Sequence, residues 1–137
     1  MEYAEKVQKV IDYLDKAQVF YVTTVDGDKP KCRPFSFKMA YDGKIYFGAG
    51  TFKEVYAQLQ ANPNIEICAS DGKGFLRYFG KAVFNDDPAC EAAALEAMPM
   101  LKNIYNDETG NHLGMFYLGD ATAEFRSLFK VEESLDM

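Results

Sequence analysis

The residues with the clearest capacity for chemistry form one short segment, Gly48-Ala49-Gly50-Thr51-Phe52-Lys53-Glu54. Its two glycines allow the backbone to approach a ligand closely, and a helix that begins here would direct free N–H groups at that ligand. Thr51 adds a hydroxyl and Lys53 a full positive charge, so the segment is suited to bind phosphate. The same residues are also compatible with a simpler interpretation, in which a capping box between Thr51 and Glu54 stabilises the start of a helix. Both interpretations are open at this point.

A second candidate, Arg33, lies on an alternating stretch, residues 31–41. The face that carries Arg33 also carries four large apolar side chains: Phe35, Phe37, Met39 and Tyr41. An unpaired guanidinium is costly on such a face. We therefore expect Arg33 to lie at a rim, to pair with a carboxylate or to bind an anion. Pro34 has no N–H to donate to a ladder, which indicates an edge strand or a bulge that a ligand could reach.

Other reactive side chains carry weaker signals. His112 lies in a polar loop, residues 106–114, and we expect it at the surface, although a loop histidine could reach a ligand. Cys32 is next to Arg33, which would favour a thiolate, but an inert buried thiol is the simpler interpretation. The three cysteines include no C-x-x-C pair and there is a single histidine, so we expect no zinc cluster.

Hydrophobic spacing and turn signals predict the elements that position these residues. Helices are predicted at 3–16, 51–61 and 87–98, and strands at 19–25, 31–41, 44–48, 65–70, 74–84 and 115–128. Asp26-Gly27 and Asp42-Gly43 are turn signals that would join the first three strands into an antiparallel meander. Closure would remove exposed strand edges, so we expect a mainly β (α+β) fold, a six-stranded antiparallel β-barrel with flanking helices, formed by residues 1–137 as one domain.

Composition limits the classes of partner. With 48% hydrophobic and 26% charged residues the chain is globular, and its net charge of −6 argues against a nucleic-acid binder. No apolar run reaches the roughly 18 residues of a membrane helix, and the charged start, Met1 to Lys6, lacks the apolar core of a signal peptide. We therefore expect a cytoplasmic protein that binds neither nucleic acid nor membrane.

The order of four segments resembles the pyridoxamine 5'-phosphate oxidase superfamily, whose members are FMN-binding split β-barrels. The segments are Arg33-Pro34-Phe35-Ser36-Phe37-Lys38, Asp42-Gly43-Lys44-Ile45-Tyr46-Phe47, Thr51-x-Lys53 and Asn62-Pro63. The N-terminal helix and the short length are most similar to a small subgroup, the general-stress and nitroimidazole-resistance-like flavoproteins.

The resemblance implies roles for eight residues. It implies that Arg33 and Lys53 hold the FMN phosphate with help from Thr51, that the backbone of Pro34, Phe35 and Ser36 lines the isoalloxazine ring, and that Phe47 and Gly48 flank the cofactor. It also implies a homodimer with the flavin at the subunit interface. The aromatic residues point to a dimer as well, because Phe35, Phe37, Tyr41, Tyr46, Phe47, Phe75, Tyr78 and Phe79 crowd a few strands.

The chain departs from the oxidase at positions that bear on substrate. Phe52 stands where the oxidase has a second basic residue, and no arginine- and histidine-containing substrate segment precedes Met137. Lys38 matches a lysine that contacts pyridoxal phosphate, and Phe75 replaces a polar flavin contact. We therefore do not expect vitamin B6 oxidation.

The resemblance leads us to expect an FMN-binding oxidoreductase. Its flavin would carry electrons from a reduced nicotinamide to a small acceptor, such as a nitroaromatic, a quinone or a flavin. Two alternatives stay open at this point. One is a non-enzymatic flavin-binding or redox-sensing module, and the other is a split barrel that uses a deazaflavin or haem.

Overall fold

The computed structural model describes residues 1–137, which form three helices, a 3₁₀ turn and eight strands. In chain order the elements are α1 (Tyr3–Ala17), β1 (Phe20–Asp26), β2 (Lys29–Phe35), β3 (Met39–Tyr41), β4 (Lys44–Gly50), α2 (Glu54–Ala61), β5 (Asn64–Ser70), β6 (Phe75–Asn85), α3 (Pro88–Ala97), the 3₁₀ turn (Pro99–Asn103), β7 (Leu113–Arg126) and β8 (Val131–Asp136). None of the helices combines the length and apolar character that crossing a membrane requires.

Two tight turns close the first hairpins at the predicted places. Gly27 (φ 63°) lies between β1 and β2, and Asp42 and Gly43 (φ 51° and 73°) lie between β3 and β4. Positive φ angles match the right-handed twist of the paired strands, and they explain the choice of glycine and aspartate there. The two turn predictions are confirmed.

The hairpins do not form the predicted meander. The strands form one antiparallel sheet in the order β2-β1-β5-β6-β7-β4-β3, with β8 paired to β7, so β2 and β3 lie at opposite edges. Only Ser36, Phe37 and Lys38 connect those edges, and the four Cα steps from Phe35 to Met39 span at most about 14 Å. The sheet must therefore curve until its edges face each other.

The result is a split barrel with flanking helices, as predicted, but it is not closed and has eight strands instead of six. Residues 36–38 divide the predicted 31–41 strand in two, because the chain leaves one edge there and joins the other. The structure also adds β8, which pairs with β7 after a short turn. Pro34 lies on the edge strand β2, where a missing N–H breaks no interior ladder.

The predicted capping box at the start of α2 is wrong. The N-cap is Lys53, and no side chain caps the helix. Strand β4 continues to Gly50, and the Thr51 N–H donates to the carbonyl of His112, so Thr51 belongs to the sheet and not to the helix. In contrast, α3 begins as predicted, with the Asp87 carboxylate accepting the N–H of Ala89 and Pro88 in the first turn.

Two apolar clusters support the barrel. The larger joins Val7, Val10 and Leu14 of α1 to the inner side chains of the sheet, and the smaller lies between α3 and strands β4 and β7. Three of the aromatic residues expected at an interface, Tyr46, Phe47 and Tyr78, belong to these clusters and are buried. One chain alone therefore buries three of the eight aromatic residues that led us to expect an interface.

The edge-to-edge connection is anchored to α1. Lys38, in the middle of the crossing, has only 14% of its side chain exposed and forms an ion pair with Asp15 near the end of α1. A lysine this buried needs a partner. The pair therefore holds the connection, and with it the neighbouring residues 34–37, against the helix.

Candidate functional site

A groove of about 380 Å³ opens where the crossing residues pass the end of β4. It is lined by residues 33–37 at the end of β2, by Gly48, Ala49 and Gly50 of β4, and by Met98, Leu101 and Tyr105. Lys53 and Val55 line the end nearest α2. The volume is within the range of small-molecule sites in proteins.

Arg33 lies at this groove and has no carboxylate partner. Its Nη1 donates to the Thr24 hydroxyl (2.7 Å), to the Val22 carbonyl (3.2 Å) and to the Lys31 carbonyl (3.2 Å), and its Nη2 donates to Gln58 Oε1 (2.9 Å). All four acceptors are neutral. The guanidinium is therefore oriented by the protein while its positive charge is not compensated by an ion pair.

Desolvation by burial lowers the pKa of Arg33, and the nearby Cys32 and Glu54 act in the opposite direction. Arginine remains a cation throughout the physiological range. Of its five N–H groups, Nε–H and the second Nη2–H donate to no group of the chain. These two donors are available to an anion, so the alternative of a structural salt bridge does not apply.

The start of α2 supplies further donors. No side chain caps it, and the N–H groups of Glu54 and Val55 donate to no group of the protein. A helix N-terminus carries a partial positive charge. The Lys53 side chain is exposed and makes no ion pair or hydrogen bond. Lys53, the uncapped turn and Arg33 together form a site suited to a phosphate.

The part of the groove that β4 lines depends on glycine. A Cβ at Gly48 would lie 3.0 Å from the Leu113 side chain, and one at Gly50 would lie 2.8 Å from the Tyr105 hydroxyl and 2.9 Å from the Phe52 ring. Side chains of the chain itself fill the space that a Cβ would need, so both positions require glycine for this close packing. The two cations and the mostly apolar residues that line the groove are compatible with a cofactor that has a phosphate and an aromatic ring.

The structure brings together most of the residues predicted to bind the cofactor. Arg33, Pro34, Phe35, Ser36, Gly48 and Lys53 all line the groove. The side chain of Phe47 is fully buried in the core, so only its backbone is near the groove. Thr51 lines a neighbouring cavity of about 250 Å³ instead. The individual roles of the eight residues stay predictions.

Four other candidates lie outside the groove. His112 is exposed, with its Nδ1 3.4 Å from Glu91 Oε1. Cys32 is also exposed. Phe75 lies on the outer side of the sheet, 5.7 Å below the guanidinium of Arg126. Lys38 pairs with Asp15 and does not line the groove.

Sequence reasoning missed the residues that orient Arg33. Thr24 and Gln58 are the only buried polar side chains, and the Thr24 hydroxyl donates to Gln58 Oε1 at 2.6 Å. A signal was present, because Gln58 lies between Val55 and Leu59 on the buried face of α2. Tyr105 was missed as well, since it lies directly before the polar loop 106–114 in a stretch with no periodic pattern.

The largest cavity, about 610 Å³, lies elsewhere. It covers β1, β5 and β6 beside the β1–β2 turn, and its charged lining residues have both signs: Asp28, Lys29, Glu66, Lys81 and Asp120. It holds no cluster of unpaired cations and no helix start. The smaller groove is therefore the better candidate for the functional site.

An open, mainly antiparallel barrel with flanking helices defines a split-barrel protein. The family model described as "Pyridoxamine 5'-phosphate oxidase" matches residues 5–122. The chain therefore belongs to the pyridoxamine 5'-phosphate oxidase family, which confirms the resemblance found in the sequence. No curated protein matches the chain.

Solved structures agree with this assignment. A NimC/NimA family protein from Clostridium acetobutylicum has 29% identity and a TM-score of 0.88, with 98% of this chain and 94% of that chain covered. General stress protein 26 from Bacillus anthracis has 14% identity and a TM-score of 0.70, with all of both chains covered. An FAD-binding protein from Mesorhizobium loti has 11% identity and a TM-score of 0.59, covering 85% of this chain and 91% of that one. The last two show the fold alone.

Replacing Gln58 by Met should destabilise the protein by about 1–3 kcal/mol, because Thr24 and Arg33 lose a shared acceptor in a buried place. Thermal unfolding of the ligand-free protein measures the effect. Gln60→Met is a matched change at an exposed position of the same helix. It should change the free energy of unfolding by no more than about 0.5 kcal/mol. Equal midpoints in the two variants would contradict the role assigned to Gln58.

Proposed function

We propose that the protein is an FMN-dependent oxidoreductase that transfers electrons from a reduced nicotinamide to a small acceptor. The observation that carries the proposal is the group of uncompensated donors at one end of the groove. There Arg33, Lys53 and the free N–H groups of α2 converge in a chain whose net charge is negative. A doubly charged phosphate is the ligand such a set favours.

The rest of the groove suits a flavin ring. The residues that line it are mostly apolar, among them Phe35, Phe37, Met98 and Leu101, so they would exclude water from a bound ring. No carboxylate or imidazole lines the groove. The flavin supplies the redox chemistry when bound, accepting a hydride and passing two electrons on, while the chain binds and orients it.

Family membership supports a flavin as the kind of cofactor. We infer FMN in particular because the groove has one cluster of cations, which matches a single phosphate at its end. The acceptors that we consider are nitroaromatic compounds, quinones and flavins, and the resemblance of the sequence to nitroimidazole-resistance-like flavoproteins favours the first of these.

Lys53→Ala should weaken FMN binding by about 10- to 100-fold and leave riboflavin binding unchanged, because only FMN has the phosphate. Quenching of flavin fluorescence measures both affinities. Lys53 is the cleaner position for this test, since Arg33 also holds Thr24 and Gln58.

Lys73→Ala is the control, because it removes the same charge from an exposed turn between β5 and β6. It should change neither affinity. An equal FMN affinity in wild type and Lys53→Ala would contradict the phosphate site.

A turnover assay separates the enzyme from a flavin-binding module without activity. We expect the FMN-loaded protein to consume reduced nicotinamide under anaerobic conditions when a nitroaromatic acceptor is present, faster than free FMN at the same concentration. Turnover no faster than that of free FMN would favour the non-enzymatic module.

We further propose that the protein is a homodimer with the flavin site at its interface. The outer side of the sheet carries a partly exposed patch of aromatic side chains, in which Tyr21 is 50% exposed and Phe75 and Phe79 are half-buried under the guanidinium groups of Arg126 and Arg77. An exposed patch of this kind is typical of an interface. All three cysteines are free thiols, which suits the reducing cytoplasm that we propose as its location.

Tyr21→Glu should convert the dimer to a monomer, because two copies of the patch would bring carboxylates together in an apolar contact. Sedimentation at micromolar concentration measures the mass. Lys31→Glu, an exposed change on the neighbouring strand β2, serves as a comparison for added negative charge. A wild-type protein that sediments only as a 15.5 kDa species would rule out the dimer.

A further inference from the structure

Tyr105 is a buried side chain that ends at the groove. It follows the 3₁₀ turn, and its N–H donates to the Leu101 carbonyl, which fixes the residue at the close of that turn. Only 6% of the residue is exposed, and it is one of the groove-lining residues. The ring packs in the small cluster below α3 while the hydroxyl reaches the groove.

The hydroxyl has no partner within the chain. Burial alone accounts for the raised pKa of Tyr105, with no hydrogen bond and no charge acting on the phenol. The ring is buried, but the hydroxyl oxygen is not among the buried polar atoms that lack a partner, so it is open at the groove and can bond to water or to a ligand. A phenylalanine would fill the same volume in the cluster, so packing alone does not explain the hydroxyl.

The surroundings of the hydroxyl identify what it would contact. It approaches Gly50 so closely that a Cβ there would lie 2.8 Å away, and the Gly50 carbonyl in turn accepts the N–H of Lys53. The hydroxyl is therefore at the cationic end of the groove, beside the start of α2. Phe52 lies on the same side of Gly50 as the hydroxyl, and its ring centroid is 6.2 Å from that of Tyr105.

We propose that the Tyr105 hydroxyl is a further ligand-binding group, which donates its hydrogen bond to the phosphate held by Lys53 and the N-terminus of α2. The proposal rests on the proposed function. Since burial raises the pKa of the phenol above its ordinary value, the group keeps its proton and stays a donor across the physiological range. Gly50 is required in this arrangement, because any side chain would displace the hydroxyl.

Tyr105→Phe tests the proposal, since it keeps the ring and removes one donor. We expect FMN affinity to fall about tenfold or more and riboflavin affinity to stay within about twofold, because a hydrogen bond to a charged acceptor is lost only with FMN. Fluorescence quenching gives both dissociation constants. The ³¹P resonance of bound FMN should also shift in the variant, which reports on the phosphate independently of affinity.

Tyr117→Phe is the matched control. Tyr117 packs against the same small cluster, 5.5 Å from the Tyr46 ring, but does not line the groove. It should leave both affinities and the ³¹P resonance unchanged.

The outcomes separate the two proposals. If wild type prefers FMN to riboflavin and Tyr105→Phe keeps that preference, or loses both ligands equally, the role of Tyr105 is overturned while the phosphate site stands. If wild type binds the two flavins equally well, the phosphate site is wrong and the role of Tyr105 is overturned with it.

Discussion

The whole arrangement depends on a connection of three residues. Ser36, Phe37 and Lys38 carry the chain from one edge of the sheet to the other, and so short a link forces eight strands to curve into an open barrel. The same link places residues 33–37 across from the end of β4, which creates the groove. The ion pair of Lys38 with Asp15 then holds the link against α1. One steric constraint therefore produces both the fold and the concave surface that a ligand can enter.

Polar groups at the groove are arranged for a ligand rather than for one another. The Thr24 and Gln58 side chains orient Arg33 through neutral oxygens, so the guanidinium keeps its net charge and two unused donors. The first turn of α2 has no cap, and Lys53 has no acidic partner. A structural role alone would favour a carboxylate beside Arg33 and a capping side chain at position 51 or 53. The chain therefore lacks an ion pair and a helix cap at the place where a bound anion would provide the same stabilising contacts.

The lining explains how a groove without a general acid or base could support redox chemistry. In the proposed reaction the flavin performs the electron transfer, so the protein has to bind one end tightly and keep the ring in an apolar channel. Phe35, Phe37, Met98, Leu101 and Tyr105 supply most of the apolar lining of this channel.

Local signals in the sequence determined the turns at Gly27 and Gly43, the helix start at Asp87 and most of the strands, since each depends on a few neighbouring residues, whereas β8 and the break between β2 and β3 were not predicted. The segments around Arg33 and Lys53 resemble those of a known family, and the family model confirms this resemblance. The order of the strands across the sheet could not be predicted. A hairpin pairs two strands that are neighbours in the chain, but it does not determine which strands lie at the two edges of the sheet or that these edges face each other. The capping box predicted at Thr51 is wrong for a similar reason, because it depends on pairing between distant strands. Pairing with β7 extends β4 to Gly50, and the Thr51 N–H donates to the His112 carbonyl. Likewise Gln58 and Tyr105 became site residues only through folding, since hydrogen bonds and cavities between distant segments arise from tertiary packing and leave little trace in local spacing.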